Sequence, residues 1–219
     1  MPQSSVVVSF QGERRQVASG RTVAEFLTEF FDRLPDDILA ALVNRRLVML
    51  DFPLRGHQVE LEAVRLPSRD GEAVYRRSAS LVLAEAVREL YPEARLIVGQ
   101  SLGKGYFFSW QAPFPLSFQI INSVARRVGE ICREDRPFVR RVVTLEEAET
   151  IFRAAGQEAT LALLASYRSS TVPLVSCGSF HDIAHGAVAP SAGRLKGVAV
   201  LPYEDGLLPG PVAGASYVL

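Results

Sequence analysis

Residues 75–110 read YRRSASLVLAEAVRELYPEARLIVGQSLGKGYFFSW, and the class of fold turns on them. Ala79, Val82, Leu83, Ala86, Val87 and Leu90 recur at i, i+3, i+4, i+7, i+8 and i+11, the spacing of one apolar helix face. Arg76, Arg77, Ser80, Glu85, Arg88 and Glu89 fill the other face, which predicts a solvated polar stripe. Pro92 cannot continue a helix, so this one should stop after Tyr91. The apolar stretch Leu96–Gly99 then predicts a short strand, Gly103 and Gly105 a turn, and Tyr106–Trp110 an aromatic strand that returns beside the first. A helix joined to a hairpin predicts a mixed α+β chain.

Upstream, Val6, Val8 and Phe10 alternate with Val7 and Ser9, the period of a strand with one buried face. Gln11-Gly12 predicts a tight turn, and the chain returns through Arg15–Ala18. Thr22 and Glu25 have capping-box spacing: the Thr22 hydroxyl can take the Glu25 amide while the carboxylate reaches back. Val23, Phe26, Leu27, Phe30 and Phe31 form the apolar face of the helix that follows, with Pro35 expected to end it. Ala40–Val43 and Leu47–Leu50 flank a hairpin turn at Asn44-Arg45-Arg46, and Val59, Leu61 and Ala63 mark a half-buried last strand. Strand, strand, helix, strands is the order of a ubiquitin-like β-grasp unit. The polar segment Pro67–Gly71 reads as a linker after it.

Downstream, Gln111–Pro115 carries two prolines and breaks regular structure. Phe118, Ile121, Val124, Val128 and Ile131 line a helix over Leu116–Cys132, closed by Arg136-Pro137, and Phe138–Val143 is strand-like. Thr144 and Glu147 repeat the capping-box spacing, and Leu145, Ala148, Ile151, Phe152 and Ala155 give their helix its apolar face. Gly156 suits its C-terminal cap. From Thr171 to Pro209 strands and turns surround a glycine-rich segment.

The 219 residues suit one large domain or two small ones. Basic and acidic residues balance at 24 each, so no global charge advertises nucleic acid or an anionic membrane. Two unpatterned cysteines, Cys132 and Cys177, suggest reduced thiols and a cytoplasmic protein. The N-terminus lacks the signature of a signal peptide, and no apolar run approaches the ~20 residues of a membrane span, so no membrane partner is expected.

The helix ending in Leu90-Tyr91-Pro92, the strand Leu96–Gly99 and the segment Gly105-Tyr106-Phe107-Phe108 resemble the start of the editing-type second domain of threonyl-tRNA synthetases, shared with alanyl-tRNA synthetases. The Thr144-capped helix and the loop Gly186–Gly193 are similar to later parts of that domain. Gly20-Arg-Thr-Val, Ala41-Leu-Val-Asn44 and Leu50–Leu54 resemble a TGS domain, which precedes the editing-type domain in those synthetases. The resemblance implies residues 1–66 as a TGS-like β-grasp domain and 72–212 as a two-layer α/β editing-like domain. In the family a His-x-x-x-His pair on the helix and a Cys and a His beside the loop glycine bind metal. In this register Arg77 and Leu81 stand at the two helix places and Ala184 and Val188 at the two loop places, so the resemblance implies that the metal positions are lost. Leu102-Gly-Lys-Gly-Tyr-Phe107 and Tyr203-Glu-Asp-Gly206-Leu-Leu-Pro209 bring the chain closest to the region ahead of the P-loop domain in uridine kinase-like nucleoside kinases.

That likeness implies a non-catalytic regulatory, ligand- or RNA-sensing region, with ATP and Mg belonging only to a downstream kinase domain and no cofactor in this chain. The alternatives are a free-standing synthetase-like domain that binds or deacylates mischarged tRNA, and a protein-interaction module. Arg76, Arg77, Ser80, Lys104 and Tyr106 are the candidates for binding an anionic ligand, with Arg77 facing the Cys177–Val188 loop. Arginine pairs such as Arg140-Arg141 suit phosphate, which makes tRNA or another RNA the candidate partner. Cys177, His181 and His185 have zinc-ligand chemistry at spacings of four, but the glycine-flanked region should not be helical, so they are weak metal candidates and the metal expectation is none. Gly99–Gly105 lacks the spacer of a phosphate loop and precedes a strand rather than a helix, so a hairpin turn is the better reading.

Overall fold

A computed structural model describes residues 5–102, 105–203 and 206–211 and is mixed α+β throughout. The described residues form two compact units, the first from 5–77 with 186–190 and the second from 78–185 with 191–211.

The first unit opens with β1 (Ser5–Phe10) and β2 (Glu13–Ala18), joined at Gln11-Gly12, where both residues take positive φ. Helix α1 (Val23–Phe30) follows, then β3 (Ile38–Val43), β4 (Arg46–Val48) and β5 (Gln58–Arg65). The sheet order is β2-β1-β5-β3-β4; β1 and β5 run parallel at its centre and every other pair is antiparallel. Val6, Val8 and Phe10 from β1 and Val59 and Leu61 from β5 are buried with Val23, Phe26 and Leu27 of α1, as their alternation requires.

Both halves of the Thr22 capping box form: the Glu25 amide donates to Thr22 Oγ1 (3.2 Å) and the Thr22 amide to Glu25 Oε2 (2.7 Å). The helix stops sooner than Pro35 would require. Phe31 caps it and Asp32 turns the chain out at φ 61°, so two residues, Arg33 and Leu34, separate the left-handed turn from the proline. Asn44 and Arg45 both have positive φ, the pattern of a two-residue hairpin turn, and Asn44 Oδ1 takes the Glu60 amide (2.8 Å), pinning the hairpin tip to β5.

Helix α2 runs Arg69–Leu90. Its first turn absorbs Arg69–Gly71, read above as linker: Ser68 Oγ takes the Gly71 amide (3.0 Å) in the manner of a cap, which no apolar periodicity announces. The expected solvated stripe is also interrupted, because Leu81, Val82 and Leu83 are consecutively buried and Glu85 is buried with them.

In the second unit β6 (Arg95–Leu102) pairs with β7 (Gly105–Gln111), as the aromatic hairpin predicts; the tip, Gly103-Lys104, lies outside the described residues. Then come α3 (Phe118–Arg133), β8 (Phe138–Thr144), α4 (Leu145–Ala154), α5 (Glu158–Leu164), β9 (Thr171–Cys177), β10 (Phe180–Ile183), a 3-10 turn at Ala192–Arg194, β11 (Val198–Tyr203) and β12 (Gly206–Pro211). One sheet is ordered β11-β12-β7-β6 and the other β10-β9-β8. Thr144 caps α4 through the Glu147 amide (3.2 Å), and Gly156 (φ 65°) follows its last turn. Helix α5, unannounced by the sequence reading, closes a core of Val143, Ala148, Phe152, Leu164, Val172, Leu174 and Ile183.

Candidate functional site

Arg77 faces the loop that the sequence reading assigned to it. Its Nε donates to the Ala187 carbonyl (2.8 Å), and a Cβ on Gly186 would lie 3.0 Å from the guanidinium carbon. Glycine therefore lets the loop backbone press against the cation, while Ala187, Val188 and Ala189 bury their side chains. A backbone carbonyl thus holds Arg77 on this side, where the sequence reading placed an anionic ligand. Arg76, Ser80 and Tyr106 are half-buried and each has interaction partners, whereas Lys104 lies outside the described residues.

Cys177 and His181 do not converge. In the β9–β10 hairpin Cys177 pairs with Phe180 and Ser176 with His181, so alternation sends the thiol and the imidazole to opposite faces. The thiol is fully buried, and burial pushes its pKa up to about 12; His181 Nδ1 lies 3.0 Å from the Ser179 carbonyl, and His185 is exposed beyond the strand. Among the described residues no group of three or more His, Cys, Asp or Glu side chains is placed to hold a metal ion. Burial likewise pushes the Cys132 thiol up to about 11 and raises the Asp182 carboxyl, an effect that the hydrogen bond from the Ile183 amide offsets only in part.

The strongest electrostatic feature is one the sequence reading put on a solvated face. Glu85, with 2% of its side chain exposed, accepts from Arg136 Nη1 (2.9 Å), the Ser179 amide (2.9 Å), the Phe180 amide (2.8 Å) and Ser179 Oγ (3.2 Å). Gly178 makes this approach possible: it has φ 57°, and a Cβ there would stand 1.9 Å from Glu85 Oε1. Arg136 also binds Glu89 and Glu134, and Arg127 binds Glu89, Glu130 and Glu134. The hydrogen bond to Arg127, followed by that to Arg136, holds the Glu89 carboxyl below its ordinary range; the bonds from Arg127 to Glu89, Glu134 and Glu130 raise Arg127 in turn. The network ties α2 and α3 to the β9–β10 turn, which is a scaffold role. Its one sequence signal is the run Leu81-Val82-Leu83, which no single helix stripe accommodates and which marks a helix buried on several sides.

A mixed α+β chain whose second unit packs helices on antiparallel sheets is the class that this geometry defines. No protein-family model matches the chain. It is similar to the threonine–tRNA ligase of Desulforamulus reducens, with 31% identity over 193 residues, covering 87% of this chain and 30% of that protein. The corresponding ligases of Symbiobacterium thermophilum and Rubrobacter xylanophilus are 30% and 32% identical over 191 and 184 residues. The chain thus spans about 30% of the length of the curated relatives it matches, and the likeness supports a domain of the threonine–tRNA ligase type. The uridine kinase-like parent expected above finds no support among these relatives. No helix among the described residues is long and apolar enough to cross a membrane.

Proposed function

We propose that this chain is a tRNA-directed module, a TGS-like unit followed by a unit descended from the editing-type domain, and that it binds tRNA without using a metal or a thiolate. The observation that carries this reading is the likeness to threonine–tRNA ligases over 87% of the chain. Several groups that would serve hydrolysis have other employment. Arg77 holds a loop carbonyl, Glu85 is consumed by the β9–β10 turn and Arg136, and burial keeps both thiols protonated at neutral pH.

Filter retention of tRNA tests the reading. Retention at 50 mM salt that falls at least about tenfold by 200 mM is expected, because phosphate contacts release counterions. No retention at 50 mM would refute it. Release of the amino acid from mischarged threonine-type tRNA should stay at the buffer blank; turnover above the blank would replace the binding reading with an editing one.

A further inference from the structure

Trp110, at the end of β7, and the proline-broken segment after it line an open hollow of about 580 Å³, together with Gln111, Ala112, Pro113, Phe114 and Leu116. Trp110, Phe114 and Tyr91 form a ring triangle with centroids 5.9–6.1 Å apart and interplanar angles of 57–77°. The rings meet edge-on or tilted rather than as parallel stacks. The arrangement is built rather than incidental, because Trp110 Nε1 donates to the Phe114 carbonyl (3.2 Å) and closes the segment against the indole. Both rings are half-buried and keep surface toward the hollow. Phe118, two residues past the lining, is 72% exposed at the start of α3 and extends the apolar surface. A phenylalanine that exposed contributes little to the core.

We propose that this hollow is a stacking site for an unpaired nucleobase, the kind presented by a single-stranded RNA end. Aromatic side chains that stack bases are the usual means of gripping single-stranded nucleic acid, and stacking tolerates any base because each has a π face. Gln111, an exposed member of the lining, adds a carboxamide whose paired donor and acceptor suit the edge of a base. The proposal rests on the tRNA-directed reading for its choice of occupant over a proline-rich peptide, another ligand of aromatic grooves. It adds to that reading a place of contact on residues that neither the relatives nor the sequence analysis single out.

The chain contains a single tryptophan, so its intrinsic fluorescence reports this hollow. The experiment titrates the full chain with deacylated tRNA, a short single-stranded RNA, a duplex RNA of the same length and a proline-rich peptide, and runs filter retention of tRNA in parallel. Saturable quenching by tRNA and by the single strand, but not by the duplex, is expected. Phe114→Leu, which keeps apolar bulk and removes the ring, should weaken it about tenfold. Phe118→Ala, at an exposed position that folding does not need, is the companion variant and should weaken it about threefold or more. Retention of tRNA with no quenching would overturn the stacking site and leave the tRNA reading standing. Quenching by the single strand without tRNA retention would uphold the site and overturn the tRNA reading. Quenching by the peptide alone would overturn the nucleobase proposal.

Discussion

Glu85→Gln changes one oxygen to an amino group at constant volume, and the consequences can be worked from the contacts. Oε1 accepts from Arg136 and the Ser179 amide, and Oε2 from the Phe180 amide and Ser179 Oγ. A glutamine offers one acceptor oxygen and one donor group. With its oxygen at the Oε1 position, the two retained bonds lose their charge assistance, about 1 kcal/mol together. The amino group then meets the Phe180 N–H, and a buried donor left unsatisfied costs about 1–3 kcal/mol. The flipped amide fares no better, because it confronts both Arg136 and the Ser179 N–H. The expected destabilisation is therefore about 2–4 kcal/mol. Arg136 keeps Glu89 and Glu134, so no isolated charge adds to the figure. Urea unfolding followed by Trp110, which belongs to the same unit, should show a midpoint lower by about 0.7 M or more at an m-value of about 1–3 kcal/mol/M. A midpoint within about 0.3 M of the parent chain would refute the assignment of this carboxylate as a structural anchor.

Gly178→Ala should unfold at lower urea still, because a non-glycine residue at φ 57° costs about 1–2 kcal/mol and its Cβ would stand 1.9 Å from Glu85 Oε1; parent-like stability would show that the turn relaxes freely. Acid should weaken the second unit in a definite direction. Glu89 is held below its ordinary value, so its contribution is present above the unfolded value of about 4.3 and lost as pH falls through the lower folded value. Midpoints should hold from pH 7 to about 5 and then drop, and Arg127→Gln should flatten that drop; an unchanged acid limb in the variant would count against the network. Neither Cys132 nor Cys177 should react with a thiol reagent at pH 7.5 until denaturant is added, since burial keeps both protonated. Rapid labelling of the folded chain would contradict that.

Much of the local structure was legible in residues close together in the chain. The Thr22-Glu25 cap, the Gln11-Gly12 and Asn44-Arg45 turns, the Thr144 cap and Gly156 each depend on neighbours within four positions, and each stands where the pattern put it. Helix α5 was missed because Glu158–Leu164 spans only two turns, too short for a period to declare itself. The start of α2 was missed because Ser68 caps a polar, glycine-containing turn that resembles a linker. Zinc-like spacing at Cys177, His181 and His185 misleads for the opposite reason: strand alternation, rather than helical repetition, governs where those side chains go.

By itself the sequence determined the element order, the turns and caps, and the faces of its strands, because these follow from steric limits and hydrogen bonds within a few residues. Only the tertiary structure decided which charged groups leave solvent. Glu85 and Phe180 are 95 positions apart, and Glu85 and Arg136 are 51 apart. A carboxylate is stable in the interior only where donors from such distant segments meet it together. The Trp110 hollow has the same origin, since Tyr91 and Phe114 reach one indole from a helix end and a loop. Periodicity describes a chain's own face, whereas burial and ring clusters depend on what the rest of the chain lays against it.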